Sequence, residues 1–261
     1  MKELSKFFLI GNMKMNPINR EEMTMYEKSL KEELQRLSSH QVKRLVEISL
    51  APPFLYIKSL SQSVSGVVNV GSQDVSSYQK GSYTGDISAS MIYSEGASFS
   101  LIGHSERRKY HKEGNEDIAR KVRNVLDFGM RVVLCVGESQ EEHSMNKTDE
   151  VIKKQLQECL FEVKENEVSH VYIVYEPVWA VGSDETPTSL EIGSVKKGIQ
   201  NVLTELFQEK GDEMKILYGG SVHAHNLLET CIIPGMDGAL VGRSSLDPKE
   251  FFEIVFQAKV L

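Results

Sequence analysis

Residues 99–136 read FSLIGHSERRKYHKEGNEDIARKVRNVLDFGMRVVLCV. Phe99 to Ile102 is a short apolar run and Val132 to Val136 is another; both are nearly continuous, as in strands covered on two faces. Between them Ile118, Val122, Val125 and Leu126 recur at helical spacing over Asn115 to Phe128, and Gly129 is placed to end that helix. The stretch therefore predicts a strand, an amphipathic helix and a second strand.

The same alternation runs from one end of the chain to the other. Further strands are expected at Phe7 to Ile10, Val46 to Leu50, Val67 to Val70, Val171 to Tyr175, Ile216 to Tyr218 and Ala239 to Val241. Asn19-Arg20-Glu21-Glu22 has capping-box spacing, and Met23, Tyr26, Leu30, Leu34 and Leu37 follow as one helical stripe. Helices are also expected over Thr148 to Val163, over Ser189 to Phe207, and after Asp247-Pro248, with Asp247 as cap and Pro248 in the first turn. Strand–helix units of roughly thirty residues fill residues 1–261 and leave no linker, so one domain is expected. The economical α/β solution is a closed parallel (β/α)8 barrel. An open doubly wound sheet would carry more strands than usual, and no GxGxxG opens the first helix.

Composition narrows the function. A net charge of -7, with no Lys/Arg cluster beyond short pairs such as Lys153-Lys154, argues against a nucleic-acid surface but allows an anionic small ligand in a local field. No run of eighteen apolar residues exists and the start lacks a signal peptide's cleavage pattern, so a cytoplasmic protein with no membrane contact is expected. Cys135, Cys159 and Cys231 are odd in number and far apart, which suggests neither disulfides nor a cysteine metal site.

In a parallel barrel the residues just after each strand share one rim. Here they are Asn12 and Lys14, His104, Glu176, Gly219-Gly220-Ser221 and Gly242-Arg243-Ser244. An amide, an ammonium, an imidazole and a carboxylate would meet there, which suits proton abstraction from carbon. Backbone amides at Gly182, Ser221, Gly242 and Arg243, helped by the start of a short helix after the eighth strand, would cradle a phosphate. After Glu176 the chain continues Pro177-Val178-Trp179-Ala180-Val181-Gly182, a stiff, small-residue loop suited to be a lid over a buried base.

Five segments then resemble the signatures of the triosephosphate isomerase family, in the family's order: Gly11-Asn12-Met13-Lys14-Met15-Asn16, Gly103-His104-Ser105-Glu106-Arg107-Arg108, Tyr175 to Gly182, Tyr218-Gly219-Gly220-Ser221-Val222 and Asp237 to Gly242. The resemblance implies a TIM barrel that interconverts dihydroxyacetone phosphate and D-glyceraldehyde 3-phosphate through an enediol or enediolate, in glycolysis and gluconeogenesis, with no cofactor and no metal. It makes Glu176 the base, His104 the electrophile, Lys14 the substrate-binding cation and Asn12 the residue orienting the carbonyl side. This family is itself the standard illustration of a carboxylate base beside a neutral histidine, so that pair comes from the resemblance. Val181 and Leu240 match the apolar cover over the base, Ser221 and Tyr218 the latch of the lid. Glu106 is expected to pair with Lys14 or support the rim beside Ser105, and Arg107 to tie loops together. Residues 73–86 resemble the loop by which the family's subunits interlock, so a homodimer is implied, with Thr84 reaching toward the partner's site.

The chain also departs from the family pattern. Met13 stands where Trp is usual, Asp184 and Glu185 replace Gly and Lys in the lid, Pro187 replaces Ala, and Arg243 replaces one of a glycine pair beside the phosphate. Arg243 leaves open a paralogue acting on a four-carbon erythrulose phosphate; a non-catalytic phosphate-binding barrel is the remaining alternative.

Overall fold

A computed structural model describes residues 6–37, 45–64, 66–180 and 186–258. Eight strands close on one another in sequence order: β1 Phe7–Asn12, β2 Val46–Ala51, β3 Asn69–Ser72, β4 Phe99–Ile102, β5 Arg131–Val136, β6 Val171–Tyr175, β7 Lys215–Tyr218 and β8 Gly238–Val241. Every neighbouring pair is parallel, and β8 returns to β1 in a register running from Phe8↔Gly238 to Gly11↔Val241. The expected (β/α)8 barrel is what forms.

The apolar runs are continuous because both strand faces are buried, and alternate residues serve different layers. Phe8 and Ile10 of β1, with Val133 and Cys135 of β5, fill the barrel interior. Phe7 and Leu9, with Val132, Leu134 and Val136, face the helices instead. The helix spanning Arg20–Arg36 begins where expected, the Asn19 side chain accepting the Glu22 N–H at 2.9 Å, and it buries Met23, Tyr26 and Leu30. The one over Asn115–Leu126 buries Ile118, Val122, Val125 and Leu126, and Gly129 beyond it takes a φ of 66°. Ser189–Phe207 matches its expected span, and Asp247 caps Pro248–Ala258 by accepting the Lys249 N–H at 2.9 Å.

Two elements depart most from their expected bounds. The third strand covers Asn69–Ser72, not Val67 to Val70; Val67 is 38% exposed, while Gly71 lies against the Phe99 ring inside the barrel and Ser72 Oγ donates to Ser100 Oγ at 2.7 Å on the helix-facing side. An apolar-run criterion cannot see a strand whose inward residues are small or polar. The helix begun at Thr148 stops at Cys159, where the chain turns so that the Val163 N–H reaches the Leu160 carbonyl at 2.9 Å. Met13 is buried, so the exchange at this position is one of packing. Among the described residues no helix is long and apolar enough to cross a membrane.

Candidate active site

The carboxyl ends of the strands open on a cavity of about 620 Å³ lined by Asn12, Lys14, His104, Glu176, Leu240 and the Gly219–His223 and Gly242–Ser244 turns, with Leu246. The four polar side chains singled out at the strand ends therefore meet in one place. Tyr218, although a strand-end residue, lies wholly buried behind them, and its hydroxyl has no partner among the described residues. Val181 and Gly182, together with Asp184 and Glu185, fall outside the described residues.

Lys14 follows β1 with a φ of 51°, a left-handed conformation that side chains other than glycine adopt at a cost of order 1–2 kcal/mol. Three neighbours hold it there. Its N–H donates to Asn12 Oδ1 at 3.0 Å, its carbonyl accepts Gln73 Nε2 at 2.7 Å, and its ammonium pairs with Glu106. Asn12 thus has a local role in shaping the Lys14 backbone.

His104 caps the helix Ser105–Tyr110, as its position before Ser105-Glu106 suggested. Its Nδ1 accepts the Glu106 N–H at 3.2 Å, which leaves the ring proton on Nε2. That Nε2 stands 3.1 Å from Glu176 Oε1, and the Ser105 N–H donates to Glu176 Oε2 at 2.9 Å. Carboxylate and imidazole touch directly, both buried. Glu106 both orients the imidazole through its amide and neutralises Lys14 through its carboxylate. Arg107 pairs with Asp74 at 2.9 Å and Glu113 at 2.6 Å, away from the cavity lining, and so ties loops together.

Several roles escaped the sequence reading. Gly219 must be glycine, because a Cβ would overlap the Val174 side chain and press on Glu176 Cγ at 3.0 Å. Cys135, on the inner face of β5, neighbours Glu176; burial drives its thiol well above the ordinary range and the Glu176 carboxylate adds to this, so it remains a protonated, inert wall. Glu138 is fully buried just past β5 and accepts Trp179 Nε1 at 2.8 Å and Tyr175 OH at 3.1 Å on Oε1. His143 stacks on the Trp179 ring with centroids 4.1 Å apart. Together they anchor the turn Val178–Ala180 that follows Glu176. Glu138 was findable, since it follows a strand end as the other rim residues do; His143 had no such signal.

The two glycine turns supply donors. Among the described residues, the backbone N–H groups of Ser221, Arg243 and Ser244 have no acceptor, although all three residues line the cavity. The Ser221 turn is stapled from outside by Asn226, whose Oδ1 accepts the His223 N–H at 2.9 Å and whose Nδ2 donates to the Ser221 carbonyl at 2.8 Å. Unspent amides on a rigid turn are suited to an anion.

The family model for triosephosphate isomerase matches residues 7–258, nearly the whole described chain. The chain belongs to the triosephosphate isomerase family. Among members it is similar to, the triosephosphate isomerase of Fusobacterium nucleatum is 36% identical over 256 residues, covering 97% of this chain and 98% of that protein. That of a Thermoanaerobacter species is 38% identical over 211 residues, 80% of this chain and 85% of its own length. The crystal structure of triosephosphate isomerase from Bartonella henselae superposes with a TM-score of 0.84 at 31% identity, covering 97% of this chain and 99% of that one. Within the family the barrel is the shared frame, and Glu176 and His104 occupy strand ends of it.

Proposed function

We propose that the protein is an aldose–ketose isomerase interconverting dihydroxyacetone phosphate and D-glyceraldehyde 3-phosphate, with Glu176, His104, Lys14 and Asn12 at the reacting carbons. The direct approach of the Glu176 carboxylate to His104 Nε2, at 3.1 Å, carries this reading. A carboxylate that lies beside an N–H donor, on the wall of a cavity with free amides, can take a proton from carbon while the donor meets the oxygen where charge gathers.

The steps balance without a redox partner. Glu176 removes a proton from the carbinol carbon, the electron pair moves toward the carbonyl oxygen, and His104 Nε2–H with the Lys14 ammonium stabilises the enediolate. His104 donates its Nε2 proton to the former carbonyl oxygen and takes the carbinol hydroxyl proton in exchange, and protonated Glu176 returns its proton to the neighbouring carbon, which leaves the aldehyde at the carbon first deprotonated. The phosphate sits against the amides of Ser221, Gly242 and Arg243, with Gly182 as a further donor and Val181 and Leu240 covering the base. The four-carbon alternative is not favoured: the similar proteins named above are triosephosphate isomerases.

A homodimer through residues 73–86 and a cytoplasmic location belong to the same proposal. Support for the dimer is that residues 78–86 stand exposed on a braced arm. Tyr78 and Tyr83 stack at 3.7 Å, Ser76 bonds Asp86 at 2.5 Å, and Gln73 at the root holds the Lys14 carbonyl. A partner seated on this arm would steady the Lys14 backbone through Gln73.

In heavy water with dihydroxyacetone phosphate the protein is expected to form the aldose with solvent deuterium at carbon. Glu176→Gln should lower that exchange by at least roughly 10²–10⁴-fold while inorganic phosphate still binds. Absence of turnover in the unmodified protein would defeat the enzyme reading; preference for a four-carbon ketose phosphate would overturn the substrate.

A further inference from the structure

We infer that the side chain of Arg243, and not its backbone amide alone, is a phosphate ligand that sets this site's selectivity for doubly anionic substrates. The inference rests on the sugar-phosphate reading of the cavity and adds a recognition element to it. Arg36, Arg107, Arg120, Arg123 and Arg131 each pair with a carboxylate. Arg20 donates to Ser59, and Arg108 to the Gly103 carbonyl and to Asn115. Among the described arginines only Arg243 has neither an ion pair nor a side-chain hydrogen bond, and it lines the catalytic cavity.

The cavity's other permanent cation does not offer the same service. Lys14 is already paired with Glu106, so its field at a distance is largely cancelled. In a chain of net charge -7, an approaching phosphate dianion is repelled overall, and an uncompensated guanidinium at the cavity is the local feature that reverses this. The same turn presents the free N–H groups of Arg243 and Ser244, so backbone and side chain of one residue serve one anion. A guanidinium offers two parallel donors with the spacing of two phosphoryl oxygens, which amides on a turn cannot supply. The side chain is exposed, so its contribution is sensitive to salt.

Inorganic phosphate is the probe, because its binding can be followed by phosphorus NMR or calorimetry with no turnover required. Arg243→Gln is expected to weaken phosphate binding about tenfold or more and to flatten its dependence on ionic strength, with Arg243→Lys recovering part of the loss. In turnover assays with dihydroxyacetone phosphate, the loss from Arg243→Gln should fall on KM more than on kcat, the signature of a group that grips substrate and transition state alike. Phosphate binding and salt dependence in Arg243→Gln equal to those of the unmodified protein would overturn the inference. Should the unmodified protein fail to turn over the triose yet bind phosphate in an Arg243-dependent way, the isomerase reading fails and this one stands.

Discussion

Glu176 and His104 owe their approach to small choices around them. The Glu106 amide takes Nδ1 of the ring and thereby fixes the proton on the nitrogen that faces the Glu176 carboxylate. Gly219 leaves room for the Glu176 side chain that any Cβ would invade. Gly219→Ala should therefore lower kcat by roughly tenfold or more through displacement of the carboxylate, since ångström-scale misplacement at a reacting centre has effects of that order. Steady-state kinetics beside circular dichroism checks this; unchanged kcat with an intact fold would contradict it. At this scale the polar residues themselves were legible because each follows an apolar strand run. Cys135 and Gly219 were not, because their roles lie in the space they leave or fill around a side chain from another strand.

Between elements, ion pairs hold helices to the loops that precede strands. Arg123, on the helix Asn115–Leu126, grips Glu167 at 2.7 Å, in the turn Glu165–His170 that leads into β6. The hydrogen-bonded Arg123 guanidinium holds the Glu167 carboxyl down at about 2. An unfolded glutamate titrates near ~4.3, so the folded state binds its proton less readily; the stabilisation is complete above that range and is lost as pH falls toward the folded value. Glu167→Gln should be less stable than the unmodified protein by about 1–2 kcal/mol at neutral pH, a figure discounted for partial exposure. Urea melts at stepped pH should show the difference closing between pH ~4.5 and ~2; a gap that persists at the acid end would refute this account. Helix caps such as Asn19 and Asp247 were readable in advance because a cap is local, whereas this pair joins residues that only packing brings together.

For the molecule as a whole, closure is the decisive event, and it happens where β8 meets β1. Gly238 pairs with Phe8 there, and a Cβ on it would collide with the Phe8 carbonyl. Gly238→Ala should cost about 3 kcal/mol or more, in the range reserved for substitutions that break backbone packing, and the urea midpoint should fall accordingly. A midpoint within experimental scatter of the unmodified protein would show that the seam tolerates separation. Once the barrel closes, eight strand ends share one rim, and that is why residues as far apart as Lys14 and Arg243 face a single cavity.

The order of the strands, the five long helices, the caps at Asn19 and Asp247 and the rim residues Asn12, Lys14, His104 and Glu176 followed from the amino-acid sequence alone, because periodicity and capping involve neighbours along the chain. Tertiary structure decided the start of β3, the pairing of Lys14 with Glu106, the approach of Glu176 to His104 and the absence of any partner for Arg243 among the described residues. Each of those depends on which distant groups share a volume, and a linear pattern has no term for shared volume until the sheet has closed.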